Sequence, residues 1–209
     1  MTNIEKASVK IKICGLYRAE DIEAINRYRP DYAGFVFYPP SHRYVSRLSM
    51  QIWRERLDKE IPAVGVFVDS PEKEVADYGK EGLVQVIQLH GHESEEYIQR
   101  LRKLVPDCEI WKAFWIRTTA DLAAARESSA DRVLLDNGYG TGQCFDWKLM
   151  EGCGLMRSFL LAGGLNAENI GDAARRFSPW GLDVSSGAET NRKKDPEKIQ
   201  RIIETVRNL

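Results

Sequence analysis

The amino-acid sequence predicts an α/β fold, a single-domain (β/α)8 TIM barrel. Short apolar runs with strand character alternate with amphipathic helical segments along the whole chain, and the alternation gives eight strand–helix units. No linker or low-complexity stretch divides the 209 residues. Eight units in about 200 residues favour a compact closed barrel over a doubly wound open sheet, which usually has about five or six strands. We therefore expect residues 1–209 to form one barrel domain.

The predicted strands are short, apolar and bounded by turn residues. They span residues 9–13, 32–37, 63–68, 84–89, 109–114, 132–135, 158–162 and 181–184. Helical patterns lie between and after them, at residues 19–28, 50–57, 72–78, 95–104, 120–127, 167–176 and 197–206. The helix of the sixth unit is predicted to be short, around residues 147–150.

The composition indicates a soluble globular protein with a substantial core, since 43% of the residues are hydrophobic and 29% are charged. The net charge of −1 and the absence of a long basic block argue against nucleic acid as a partner. No apolar run approaches the ~20 residues that span a membrane, and the first residues are polar, so we expect a cytoplasmic location. The four cysteines lack a CxxC pair and are expected to be free thiols.

Two reactive side chains stand where predicted strands run into glycine-containing turns. Cys14 follows the first strand and Asp136 follows the sixth. The catalytic face of a barrel is built from the segments after its strands, and a thiol with a carboxyl group is a plausible base and acid for moving protons. A free cysteine is more often a small buried apolar residue, and its position alone favours that interpretation for Cys14.

The loops after the seventh and eighth strands are rich in glycine and serine. Gly163 and Gly164 belong to the first of these loops, and Ser185, Ser186 and Gly187 belong to the second. Exposed backbone N–H groups and hydroxyls in these two loops are a frequent phosphate site in barrels. A glycine pair alone also suits an ordinary tight turn, but the two loops together favour a phosphorylated small-molecule substrate.

The motifs at the strand ends resemble, in order and over nearly the whole chain, the phosphoribosylanthranilate isomerase family of tryptophan biosynthesis. They are Lys12-Ile-Cys-Gly15, Gly34-Phe-Val-Phe37, Ser41-His-Arg-Tyr-Val45, Val64-Gly-Val-Phe-Val68, Gln88-Leu-His-Gly91, Leu134-Leu-Asp136, Gly140-Thr-Gly142, Phe145-Asp-Trp147, Ala162-Gly-Gly-Leu-Asn166 and Asp183-Val-Ser-Ser-Gly187. The resemblance implies an aldose–ketose isomerase that needs no cofactor and no metal. Its reaction is the Amadori rearrangement of N-(5-phosphoribosyl)anthranilate to 1-(2-carboxyphenylamino)-1-deoxyribulose 5-phosphate.

The resemblance also implies roles for individual residues. Cys14 matches the general base and Asp136 the general acid, while Arg43, His90 and Asp183 fall at substrate-binding positions. A planar guanidinium can hold a carboxylate with two hydrogen bonds, so Arg43 is expected to bind the anthranilate carboxylate; a solvated loop arginine is the alternative. His90 could contact the anthranilate ring or serve as a structural hydrogen-bonding group.

The reference pKa values of the two groups indicate that their surroundings must shift the pKa of at least one of them. With reference pKa values of roughly 8.5 and 3.9, an ionised Cys14 with a protonated Asp136 would make up only about 10⁻⁵ of the molecules at neutral pH. Lys12 shares a strand face with Cys14, and the first and eighth strands are neighbours in a closed barrel. We therefore expect Lys12 to lie beneath Cys14 and Asp183 to keep it charged; a purely structural pair is the alternative.

His42 and Tyr139 depart from the family pattern, and the departures concern loop geometry and substrate affinity. The related Amadori isomerase of histidine biosynthesis and a catalytically silent phosphate-binding barrel are alternative functions. The five tryptophans are expected to pack between helices and strands. The sequence does not decide between a monomer and a homodimer.

Overall fold

The structure, a computed structural model, describes residues 9–136 and 158–209, and eight parallel strands in them close into a barrel. Strand β8 pairs with β1 and completes the ring, with Lys12 opposite Asp183 in the register. The predicted barrel is confirmed, and the extent of the domain over residues 1–209 stays a prediction. The strands are β1 Lys10–Cys14, β2 Tyr32–Val36, β3 Ala63–Phe67, β4 Val86–Leu89, β5 Glu109–Trp115, β6 Arg132–Asp136, β7 Phe159–Leu161 and β8 Gly181–Val184.

The described helices surround this ring. They are α1 Ala19–Tyr28, α2 Arg47–Arg56, α3 Glu72–Lys80, α4 Glu95–Leu104, α5 Thr119–Glu127, α6 Ile170–Phe177 and α7 Pro196–Arg207. The short helix predicted around residues 147–150 lies outside the described residues. Helix α2 begins earlier than predicted because the side chain of Ser46 caps it by accepting a hydrogen bond from the Ser49 N–H. No helix in the described ranges is long and apolar enough to cross a membrane.

One small element was not predicted from the sequence. After β8 the chain forms a single 3-10 turn, Ser186–Ala188, and then a two-stranded antiparallel hairpin of β9 Glu189–Thr190 and β10 Lys193–Lys194. The strands have only two residues each, so the sequence shows no alternation of apolar and polar positions there. The hairpin stands at the carboxyl end of the barrel, above the eighth strand.

Strand alternation divides the apolar core into two clusters. Side chains such as Ile11 and Ile13 of β1 point outward and pack with the helices in the larger cluster. The smaller cluster fills the inside of the barrel and contains Val64, Val86, Trp111, Ala113, Leu134, Leu160 and Ala162. Ile11 and Ile13 therefore lie on the face of β1 opposite to the one that Lys12 and Cys14 share.

The expected location of the tryptophans was wrong for Trp111, which is fully buried inside the barrel. Trp111 lies two residues from Ala113 on the inward face of β5, and its ring meets those of Tyr32 and Trp180 at centroid distances of 4.9 and 5.9 Å. These aromatic groups close the amino-terminal end of the barrel. The polar part of the barrel interior therefore lies at the opposite end, where the strands have their carboxyl ends.

A glycine makes space for the thiol at that polar end. A Cβ atom added to Gly34 of β2 would lie 2.9 Å from both the Cα and the Sγ atoms of Cys14. Real side chains do not approach a backbone atom so closely, so either the strand or the thiol would have to move.

We expect Gly34→Ala to lower the free energy of unfolding by about 1–3 kcal/mol, because the methyl group overpacks the barrel interior. Gly171→Ala is a matched control, since its Cβ would meet flexible side-chain atoms no closer than 3.4 Å and it lies within helix α6. That control should be neutral or stabilising. Urea unfolding of both variants checks this, and an equal effect of the two substitutions would contradict the steric argument.

Candidate active site

A pocket of about 240 Å³ opens at the carboxyl ends of the strands. It brings together nine of the ten predicted site residues, from strands or loops that are far apart in sequence. These nine are Cys14, Arg43, His90, Asp136, Gly163, Gly164, Asp183, Ser185 and Ser186. The closed parallel barrel produces this convergence, since all strand ends that carry loops meet at one rim.

Gly187 is the predicted residue that does not line the pocket. A Cβ atom at this position would lie 1.9 Å from the carbonyl oxygen of Leu165. The glycine therefore allows the loops after β7 and β8 to touch each other. It supports the expected phosphate loops from behind instead of facing the pocket.

The two expected phosphate loops have the backbone shape that such a site requires. Gly163 and Gly164 have φ angles of +90° and +68°, a region that favours glycine. Successive backbone units of this kind can turn N–H groups toward a bound anion. Ser185 donates a hydrogen bond from its hydroxyl to the carbonyl oxygen of Cys14, at 3.2 Å. The loop after β8 is thus attached to the strand that carries the thiol.

Lys12 lies inside the barrel beneath Cys14, as the strand geometry predicted. Its ammonium group donates to both carboxylate oxygens of Asp183 at 3.0 Å, and its side chain is fully buried. Burial alone would lower the pKa of Lys12, but the attraction of Asp183 and the contact with Cys14 outweigh it and raise the pKa. Lys12 is therefore charged at neutral pH. The predicted Lys12–Asp183 pair is confirmed, whereas its catalytic role stays a prediction.

Opposing effects act on the pKa of the Cys14 thiol. Burial raises the pKa of Cys14 and the charge of Asp183 adds to that, while the nearby ammonium of Lys12 lowers it. The net direction is upward, so burial prevails over the stabilisation of the thiolate that we expected from Lys12. Without the lysine the pKa of the thiol would lie higher still.

Asp136 faces His90 across the pocket. The Nε2 atom of His90 lies 3.5 Å from a carboxylate oxygen of Asp136. On the other side of the ring, Nδ1 is 2.9 Å from the side-chain nitrogen of Gln88. Gln88 also lines the pocket and is almost fully buried. Gln88 was not predicted as a site residue, although its position two residues before His90 puts both side chains on one strand face.

Arg43 lines the pocket but already has a partner. Its Nε and Nη2 atoms donate to the two carboxylate oxygens of Glu189, at 2.6 and 2.9 Å. Lys194 donates to the same carboxylate at 2.7 Å. Burial alone would raise the pKa of Glu189, but the hydrogen bonds from Arg43 and the charge of Lys194 bring it down to about 2. Both partners lie on the unpredicted hairpin, and no motif identified them.

Two other residues, His42 and Lys112, pack against neighbours outside the proposed chemistry. His42 packs edge-on against the ring of Tyr17, outside the pocket lining. Lys112 lies in the middle of β5, and its ammonium pairs with the buried Glu93 at 3.0 Å. In residues 9–136 and 158–209 no three His, Cys, Asp or Glu side chains could hold a metal ion. Tyr139 lies outside the described residues.

The chain is similar to known proteins along nearly its whole length. A family model described as N-(5'phosphoribosyl)anthranilate (PRA) isomerase matches residues 11–205. The N-(5'-phosphoribosyl)anthranilate isomerase of Clostridium kluyveri is 42% identical over 202 residues, which cover 96% of this chain and 99% of that protein.

Solved structures agree with the sequence comparison. A phosphoribosyl anthranilate isomerase in complex with reduced 1-(o-carboxyphenylamino)-1-deoxyribulose 5-phosphate superimposes with a TM-score of 0.83 and 33% identity, covering 96% of this chain and 100% of that one. Monomers generated from the dimeric isomerase of Thermotoga maritima give a TM-score of 0.84 at 33% identity, with the same coverage.

We expect Lys12→Met to move the pKa of Cys14 upward, because the substitution removes the cation that opposes burial. The measurement is the pH dependence of alkylation in a variant that lacks Cys108, Cys144 and Cys153. Lys112→Met is the matched control, since it also breaks a buried ion pair but outside the barrel interior, and it should leave the titration of Cys14 unchanged.

The double variant Lys12→Met, Asp183→Asn avoids a buried carboxylate without a partner. Its thiol pKa should shift in the same direction, because Lys12 influences the thiol more strongly than Asp183 does. An unchanged or lower pKa in either folded variant would rule out an electrostatic effect of Lys12 on the thiol.

Proposed function

Because the chain belongs to the N-(5'-phosphoribosyl)anthranilate isomerase family, we propose that Cys14 and Asp136 are the base and the acid of its reaction. The chain is an isomerase of tryptophan biosynthesis. It converts N-(5-phosphoribosyl)anthranilate to 1-(2-carboxyphenylamino)-1-deoxyribulose 5-phosphate. The observation that supports the assignment best is that the thiol, the carboxyl group and both phosphate loops line one pocket.

The first step opens the ribose ring. A proton must reach the ring oxygen as the bond between that oxygen and C1 breaks, and the nitrogen lone pair then forms a protonated Schiff base. A carboxylic acid at Asp136 can deliver this proton. The neighbouring His90, whose Nε2 atom lies 3.5 Å from the carboxyl group, is placed to hold that group in position.

The second step removes the proton from C2. A thiolate at Cys14 can accept it, and the electrons of the C–H bond then neutralise the Schiff base and give an enolamine. The enolamine tautomerises to the ketone, which makes the reaction an internal redox change within the sugar. The charge of Lys12 lies where it favours the thiolate over the thiol.

Two anion-binding regions would hold the substrate by its ends. We assign the phosphate to the backbone of Gly163 and Gly164 and to the serine loop of Ser185 and Ser186. We assign the anthranilate carboxylate to Arg43. A substrate held at both ends keeps C1 and C2 fixed between the thiol and the carboxyl group, which removes orientational freedom from the reacting atoms.

Other attributes of the protein remain predictions. The isomerase of Thermotoga maritima is dimeric, and this chain is proposed to act as a monomer or a homodimer. A cytoplasmic site of action follows from the expected class of substrate, a soluble phosphorylated metabolite.

Turnover of freshly prepared N-(5-phosphoribosyl)anthranilate by the purified protein tests the proposal directly. The reaction is followed by the loss of anthranilate fluorescence. A silent barrel would bind the reduced product analogue without converting the substrate. The histidine-pathway alternative would instead show turnover of that pathway's aminoaldose substrate alone.

We expect Cys14→Ser and Asp136→Asn each to lower kcat by about 100-fold or more, because each group acts mainly in the transition state. Affinity for the reduced product analogue should change by less than about 3-fold. Cys108→Ser is the matched control, because Cys108 is also buried and free but packs among the helices. If Cys14→Ser kept nearly full kcat while chemistry is rate-limiting, Cys14 could not be the base.

A further inference from the structure

We propose that Glu189 is a positioning residue that orients Arg43 to bind the carboxylate of the substrate. The inference rests on the proposed function, because it assumes that Arg43 binds the carboxylate of the anthranilate. Glu189 lies on the small hairpin after β8 and is separated from Arg43 by 146 positions in the sequence. The hairpin would thus have a specific purpose at the rim of the barrel.

The geometry of the pair leaves one edge of the guanidinium for a ligand. Glu189 contacts Arg43 from the side, through Nε and Nη2. The opposite edge, formed by the two terminal nitrogens, has no hydrogen-bond partner among the described residues. A planar guanidinium can bind one carboxylate on each of these edges. With the first carboxylate fixed by the protein, the direction of the second is set.

Glu189 is itself held firmly. Its side chain is 6% exposed, and the ammonium of Lys194 donates both to its carboxylate at 2.7 Å and to the carbonyl oxygen of Ser185 at 2.9 Å. Lys198 donates to the backbone carbonyl of Glu189 at 2.7 Å. With its pKa lowered to about 2, Glu189 is ionised at neutral pH. Arg43 is therefore attached to a rigid, charged anchor.

The charges suit an anionic ligand. The positive charge of Lys194 and the negative charge of Glu189 offset each other, so that the charge of Arg43 remains for the substrate. Glu189 also holds the long arginine side chain in one conformation before binding. A side chain that is already ordered does not lose rotamer freedom when the ligand arrives, and this increases affinity without a new contact.

The same contacts connect the protein groups that are proposed to bind the two ends of the substrate. They run from Arg43 through Glu189 and Lys194 to Ser185 in the proposed phosphate loop, and the hydroxyl of Ser185 donates to the carbonyl oxygen of Cys14. The distance between the carboxylate-binding and phosphate-binding groups is fixed by this connection. Glu189 would therefore contribute to selecting a substrate of the right length.

Binding of two probes tests the role of Glu189. The first is reduced 1-(o-carboxyphenylamino)-1-deoxyribulose 5-phosphate, and the second is the same molecule without the ring carboxyl group. We expect Glu189→Gln to weaken binding of the first probe about 10-fold and of the second by less than about 2-fold, because only the first uses the oriented guanidinium. In turnover, KM should rise more than kcat falls. Calorimetric titration measures both affinities.

Further variants serve as controls. Arg43→Ala should remove the preference for the carboxylated probe. Asp131→Asn is the matched control, because Asp131 also holds an arginine, Arg102, through its carboxylate, but at the amino-terminal end of the barrel. It should leave the preference unchanged. If Glu189→Gln does not fold, Glu189→Asp keeps the charge and should weaken the first probe selectively through the shorter reach.

The outcomes distinguish a failure of the proposal for Glu189 from a failure of the proposed function. Equal weakening of both probes by Glu189→Gln would show a general structural role and overturn the inference, as would tighter binding of the carboxylated probe, which would mean that Glu189 competes with the substrate. If the wild-type protein shows no preference for the carboxylated probe and no turnover, the proposed function itself fails.

Discussion

The buried ion pair between Lys12 and Asp183 is the interaction on which the catalytic end of this barrel depends. It joins the first strand to the last at the point where the ring closes, and both oxygens of the carboxylate accept from the ammonium. Charges buried so deeply are costly unless each satisfies the other, and removing one partner typically costs about 3–5 kcal/mol. The pair is thus both a closure of the barrel and a fixed charge beneath Cys14.

A second buried carboxylate holds two cations at the rim. Arg43 and Lys194 share the carboxylate of Glu189, much as Lys12 is matched to Asp183. In both places a cation is held by a buried carboxylate. Cations placed in advance stabilise anionic ligands and a thiolate without reorganising during the reaction. The same arrangement would serve both proposed roles, substrate binding by Arg43 and stabilisation of the Cys14 thiolate by Lys12.

The sequence was sufficient for the barrel and for most of the pocket because both depend on local patterns. Strand and helix periodicity locate the strand ends, and closure brings Cys14, Asp136 and the glycine loops together. Glu189 was not predicted because its role arises from a contact with Arg43, which is 146 positions away. Gln88 was not predicted although it lies two residues from its partner His90. Nothing local marks Glu189 as the partner of Arg43. Trp111 was misplaced for a related reason, since an apolar residue on a fully buried strand can face either side.

A crystal structure of the protein with reduced 1-(o-carboxyphenylamino)-1-deoxyribulose 5-phosphate tests the central claim most directly. The account predicts the phosphate against the loops of Gly164 and Ser186, the ring carboxylate on the free edge of Arg43, and C2 of the sugar next to the sulfur of Cys14. A ligand bound in the reverse direction, or with C2 out of reach of Cys14, would contradict it.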